Sequence, residues 1–198
     1  MNKIFPILFC VVLTVSSCSL GAMDRGEQYM LSLPEIAADA IETHVNSNDL
    51  VVGFPLADGR LDTYRIALVK PDGSSDYFAQ RRWVDFLPVI VQNTMTRSLE
   101  NQNLYRNVFS DAQGLGDGLI LKPTIRRFEA VYPAYMERPP ETVIEIDFVL
   151  QDVDSEKTLQ AFTLSAADQA TANSTTAIYD SFKRSYQSIL NKLFSALD

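Results

Sequence analysis

The chain has 198 residues, of which 46% are hydrophobic and 21% charged, the composition of an ordinary globular protein. Its 17 Lys and Arg stand against 25 Asp and Glu, a net charge of −8. That balance is repelled by nucleic acid and by anionic surfaces. Arg81-Arg82 and Arg126-Arg127 are isolated pairs, not a basic track, so a DNA or RNA partner is excluded.

In chain order the first element is a leader. Residues 4–15 are apolar except for Pro6 and Thr14, and they follow Lys3 and the α-amino group. A run of roughly a dozen residues is too short for the ~20 that cross a bilayer as a helix. It has the length of a signal h-region, which ends at small residues such as Ser16 and Ser17. Val15-Ser16-Ser17-Cys18 resembles the lipobox of bacterial lipoprotein precursors, in which the cysteine sulfur receives a diacylglycerol and cleavage leaves it as residue one. Cys10 departs with the signal, so Cys18 has no thiol to pair with, and a disulfide within the mature chain is excluded. The expected arrangement is a signal peptide over 1–17, a lipidated flexible tether over 18–28, and one periplasmic domain over 29–198. Diacylglycerol and an N-acyl chain on Cys18 together hold a protein firmly where one chain would not. An ordinary secreted protein with Cys18 near its cut is the alternative. Cleavage removes Lys3 alone among the charged residues, leaving 16 basic against 25 acidic, a net of −9. Residue two of the mature chain is Ser19, where an aspartate commonly retains lipoproteins in the inner membrane of enteric bacteria. The outer membrane, with the body facing the periplasm, is therefore expected.

The domain begins with short strands expected at 50–54, 65–70 and 77–82, the last two joined across Asp72-Gly73. Leu87, Val91, Met95 and Leu99 recur every fourth residue and predict a helix, with Asp85 as its cap and Pro88 in its first turn. Residues 119–132 predict a long strand in which Pro123 marks an edge or a bulge. The following loop holds Tyr132, Pro133, Tyr135 and Pro139-Pro140. Tyrosines in so proline-rich a loop are hard to bury and Tyr is enriched at interfaces, which makes Tyr132, Pro133 and Tyr135 the candidate partner contact. Ile144, Ile146, Phe148 and Leu150 alternate with Glu145, Asp147 and Gln151, a half-buried strand over 142–151. Residues 152–156 are a turn, and 158–165 return as a second strand. Ile178, Phe182, Tyr186, Ile189, Leu193 and Leu197 then trace one face of an amphipathic helix whose other face carries Asp180, Lys183, Arg184 and Lys192. Strands, helix, strands, helix predict an α+β, two-layer domain: a mostly antiparallel or mixed sheet with two amphipathic helices on one face. Its inward side chains are bulky enough to fill the core, leaving no lipid-sized cavity of about 300–1,000 Å³.

Catalytic groups are scarce. His44 is the only histidine, in a polar stretch with no nucleophile signature, and one His with an acylated Cys cannot build a zinc site. Gly114-Leu115-Gly116-Asp117-Gly118 lacks the Lys-Ser/Thr of a phosphate loop and leads into a strand. Glu145 and Asp147 lie on a wet strand face without an apolar setting. No enzyme, metal or cofactor beyond the lipid on Cys18 is expected.

The order of short motifs is similar to a known family. Tyr29-Met30-Leu31, Arg82-Trp83-Val84-Asp85 running into the helix, Tyr105-Arg106-Asn107-Val108 and Phe128-Glu129-Ala130 resemble the Tyr-x-Leu, "RWAD", "F-R-x-V" and "FEA" of ABC-type transport auxiliary lipoproteins. Val84 stands where that family has alanine. The resemblance implies an auxiliary partner of an ABC permease and ATPase and an MCE-domain protein, moving lipids or other hydrophobic molecules across the envelope. A homo-oligomer is compatible with it. The other reading is a structural lipoprotein of an outer-membrane secretion or insertion complex.

Overall fold

The computed structural model describes residues 29–37, 46–111 and 118–198. The signal peptide, Cys18, Ser19, the tether, His44 and residues 114–117 of the glycine run lie outside them.

Within the described residues the backbone forms β1 (Tyr29–Leu31), β2 (Leu50–Val52), β3 (Leu56–Ala57), β4 (Arg65–Val69), β5 (Ser75–Trp83), α1 (Leu87–Gln102), β6 (Val108–Phe109), β7 (Leu119–Val131), β8 (Glu141–Asp152), β9 (Thr158–Gln169) and α2 (Thr175–Leu197). The nine strands make one mixed sheet. The long strands β7, β8 and β9 form an antiparallel meander in which Ile146 faces both Ile125 and Leu164.

The spine of the sheet is β7. One edge pairs with β8 over its whole length, and three short parallel strands share the other: β2 beside residues 119–121, β3 beside 124–125, β4 beside 129–131. Pro123 thus sits in a central strand, not at an edge. The missing amide is tolerated because position 123 falls in the gap between β2 and β3. The bulge lies further on, between Ile125 and Arg127. β5 returns antiparallel to β4 through a turn at Gly73, whose φ of 81° suits glycine. β1 closes that side, parallel to β5.

Both helices cover one face of the sheet. Alternation in β8 puts Thr142, Ile144, Ile146, Phe148 and Leu150 on that face, all buried. Thr142 Oγ1 lies 2.8 and 2.9 Å from the hydroxyls of Ser181 and Ser185 on α2. The two helices meet where the Tyr186 hydroxyl lies 2.9 Å from Thr94 Oγ1 and donates to the Val91 carbonyl at 3.2 Å. Burial pushes the Tyr186 phenol far above its ordinary pKa. At the heart of the core Phe128 stacks on Phe182 with ring centroids 5.7 Å apart, while Trp83 stands edge-on to both, at 5.6 and 5.4 Å.

The helix starts differ. Ser174 caps α2, accepting from the Ala177 amide at 3.3 Å. The expected Asp85 cap on α1 does not form: Phe86 occupies the cap position without a side-chain bond, and the Asp85 carboxylate takes the Phe86 amide instead. Pro88 in the first turn removes one donor that a cap would have served.

Candidate functional site

Of the motif residues, Trp83, Tyr105, Phe128 and Glu129 are buried, whereas Met30 and Val84 are exposed. Trp83 and Phe128 are core aromatics. Glu129, buried on the sheet's other face, is held by the Arg60 guanidinium and by Arg127 Nε at 2.9 Å. The loop from β3 to β4 carries Arg60 there: the Asp58 side chain accepts from the Arg60 and Leu61 amides, and Leu61 is buried. A buried carboxylate met by two guanidinium groups is an ion-pair clasp.

The loop after β7 separates its three candidates. Pro133 and Tyr135 are exposed, Tyr135 at 62%, with the Arg138 guanidinium 5.8 Å from its ring centroid. Tyr132 is not exposed as expected. Only 7% of it is accessible, because its backbone amide continues the ladder to the Val69 carbonyl and its ring turns inward against Phe78. Its hydroxyl donates to Asn173 Oδ1 at 3.0 Å, and burial raises its pKa. Asn173 in turn donates to the Met136 carbonyl at 2.6 Å, tying this loop to the start of α2.

Two shallow grooves flank β5. One, of about 210 Å³, runs between Leu31, Phe78, Tyr132 and the first turn of α2, and is crossed by a 2.6 Å bond from Arg81 Nε to Thr175 Oγ1. The other, of about 260 Å³, lies on Tyr64, Arg65 and residues 78–82. Both are below the size that encloses a lipid.

Beyond the second groove the surface becomes apolar. Met30, Tyr64, Val84 and Phe86 are between 45% and 58% exposed. They adjoin one another: Tyr64 and Phe86 meet edge to face at 5.8 Å, and Arg82 reaches Met30 Sδ at 3.6 Å while lying 5.9 Å from the Tyr64 centroid. Neither helical nor strand period singles out these residues. The one signal in the sequence is a pair of large apolar side chains, Val84 and Phe86, flanking Asp85 just before a helix whose apolar stripe starts at Leu87.

Asp147 is a residue of the solvated face of β8 and β9. Asp147 accepts from Thr163 Oγ1 at 2.7 Å and from Arg126 Nε at 2.6 Å, and these bonds, the Thr163 one foremost, hold its pKa below the usual range. A carboxyl so lowered is no general acid. Among the described residues no group of His, Cys, Asp and Glu is placed to hold a metal ion.

Similarity to other proteins agrees with this architecture. A Xanthomonas campestris protein of the DUF330 family superposes with a TM-score of 0.75 at 18% identity, covering 83% of this chain and 91% of its own. A hypothetical protein from Chlamydia trachomatis gives 0.52 at 8% identity, covering 77% and 96%. A search of the curated proteins finds no match. The family model described as "ABC-type transport auxiliary lipoprotein component" matches residues 29–193, from β1 into the last turns of α2. The chain belongs to that family.

Proposed function

We propose that this protein is the non-catalytic, membrane-anchored auxiliary subunit of an ABC transporter that moves lipids or other hydrophobic solutes across the bacterial envelope. Cys18, carrying diacylglycerol and an N-acyl chain, anchors it in the outer membrane with its body in the periplasm. There it docks onto an MCE-domain protein and, through it, the permease and ATPase.

The observation that carries this reading is one of placement. The family match starts at Tyr29, eleven residues after the lipobox cysteine and directly behind a stretch without hydrophobic periodicity. Leader, anchor, tether and domain thus follow one another in the order a lipoprotein subunit requires. The chemistry of the domain supports a binding role: Trp83, Phe128 and Ala130 of its motifs build the core, Glu129 is clasped by two arginines, and Asp147 is held ionised. The two grooves beside β5 are each smaller than an enclosed lipid, which supports docking over carriage.

Affinity capture of the lipidated protein from native membranes tests the assignment. Permease, ATPase and MCE-domain protein are the expected partners. Capture of secretion or outer-membrane insertion subunits in their place would overturn it in favour of a structural lipoprotein. The anchor is tested separately with a clickable fatty acid, which should label the wild type and not Cys18→Ser.

A further inference from the structure

We propose that the surface formed by Met30, Tyr64, Val84 and Phe86, with Arg65 and Arg82, seats on the phospholipid headgroup layer of the membrane that holds the chain's own anchor. This rests on the assignment of Cys18 as the anchored residue.

The tether places this surface at the bilayer. Residues 18–28 reach at most about 36–40 Å when fully extended. They join the fold at Tyr29, next to Met30, so this end of the sheet is the part held nearest the membrane.

The side chains suit that location. Tyr and other amphipathic aromatics favour the headgroup level, where a ring is apolar and its edge is wet. Met, Val and Phe add apolar area between them. The charges have the complementary sign although the whole chain does not: its net −8 opposes an anionic surface, so only a local cationic face can approach one. Arg65 and Arg82 lie directly opposite each other across β4 and β5. Like charges in that register repel, and an anion lying over the pair relieves the repulsion. Arg65 lies 3.9 Å over the Tyr77 ring and Arg82 near the Tyr64 ring. The stacked Arg65 guanidinium can present its N–H edge to a phosphate, while Arg82 Nη2 lies against Met30 Sδ. The nearby Asp76 and Asp85 carboxylates are turned to Lys70 and to the Phe86 amide. The three acyl chains on Cys18 already hold the protein on the bilayer, so the contribution of this face is orientation: it fixes which side of the domain is turned to a transporter.

The experiment uses the full lipidated protein reconstituted in phosphatidylethanolamine–phosphatidylglycerol vesicles. Because lipid occupies Cys18, a cysteine introduced as Val84→Cys is the single free thiol and carries an environment-sensitive fluorophore. Leu159→Cys, exposed on the far edge strand β9, is the control. Quenching by lipids spin-labelled near the headgroup should remove most of the signal at position 84 and little at 159. The double substitution Arg65→Glu and Arg82→Glu should weaken the quenching at 84 in anionic vesicles, with Trp83 emission reporting that the fold is kept. A position 84 probe as water-exposed as the one at 159 overturns the proposal. A probe shielded only as the protein-to-lipid ratio rises also overturns it, and assigns the face to a second copy. Fluorophore on the wild-type protein, reporting a free Cys18, refutes the anchor reading and this proposal with it.

Discussion

Phe128→Ala should be among the most damaging single substitutions in this domain. The ring is fully buried, lies nearly parallel to Phe182 with an interplanar angle of 7°, and has Trp83 and Tyr186 at 5.6 and 6.1 Å. Truncating a buried Phe to Ala costs about 3–5 kcal/mol, the upper half applying where neighbours cannot close the cavity. Here the neighbours are three rigid rings on two elements, Trp83 on β5 with Phe182 and Tyr186 on α2, so about 4 kcal/mol is expected. For a urea slope of roughly 2 kcal/mol per molar this moves the unfolding midpoint down by about 2 M. Trp83 is the only tryptophan and is itself buried, so its emission follows the transition directly. Phe162→Ala is the internal comparison: that ring also stacks, on Phe148 at 5.5 Å, but it is half-buried on edge strand β9, and about 1–2 kcal/mol is expected. Phe128→Leu separates cavity from ring geometry, since it keeps most of the volume and should lose no more than about half as much. Equal midpoints for Phe128→Ala and Phe162→Ala would refute the reasoning, because they would mean the aromatic cluster is not the keystone of the core.

Removing both arginines of the clasp, Arg60→Ala with Arg127→Ala, should cost about 3–5 kcal/mol, because a carboxylate with a side chain only 5% accessible is left without a cation. Glu129→Gln should cost clearly less, since both guanidinium groups already reach water, and urea midpoints compare the two. Asp168 is held below the ordinary aspartate pKa, first by the Arg184 guanidinium, which it meets at 2.6–3.1 Å. Its contribution to stability is therefore complete above the unfolded value near 3.9 and is lost as pH falls through the lower folded value. Both partners are partly exposed, so Asp168→Asn should cost under about 1 kcal/mol at neutral pH and flatten the acid limb of a melting-temperature profile. Native mass spectrometry of the domain should find no stoichiometric phospholipid, and a monomer carrying one lipid would make the protein a carrier. In sucrose gradients the native protein should sediment with outer-membrane markers.

What could be read in advance was whatever carries its own period. The alternation in β8 and the steps of four and three in α2 match burial except at Leu197, which is only half-buried, because a long element repeats its pattern often enough to stand above chance. β3 and β6 were not legible. Two residues have no period, and these exist as strands only because parallel partners lie beside them: β7 for Ala57, β2 for Val108. Pro123 was misplaced for the same reason, since its tolerance depends on a gap between two strands that the local sequence does not describe. Tyr132 looked like a loop residue from its prolines, but one further backbone bond to Val69 carries it past the end of β7 and turns its ring inward. Of the candidate site, Cys18 is named by its lipobox motif alone and lies outside the described residues. The apolar surface was not legible, because Met30, Tyr64 and Val84 come from three separate segments and adjoin only in the folded sheet.

The sharing of one β7 edge by three strands also dictates an order of assembly. β2, β3 and β4 belong to the first third of the chain, yet their common partner is more than sixty residues downstream, as in Leu50 with Leu119 and Ala67 with Glu129. Closing loops of that length costs entropy before any contact repays it. The β7–β8–β9 meander closes through the short connections 132–140 and 153–157, so it and α2 can form first. The end of the chain that leaves the ribosome first is thus the last to find its place.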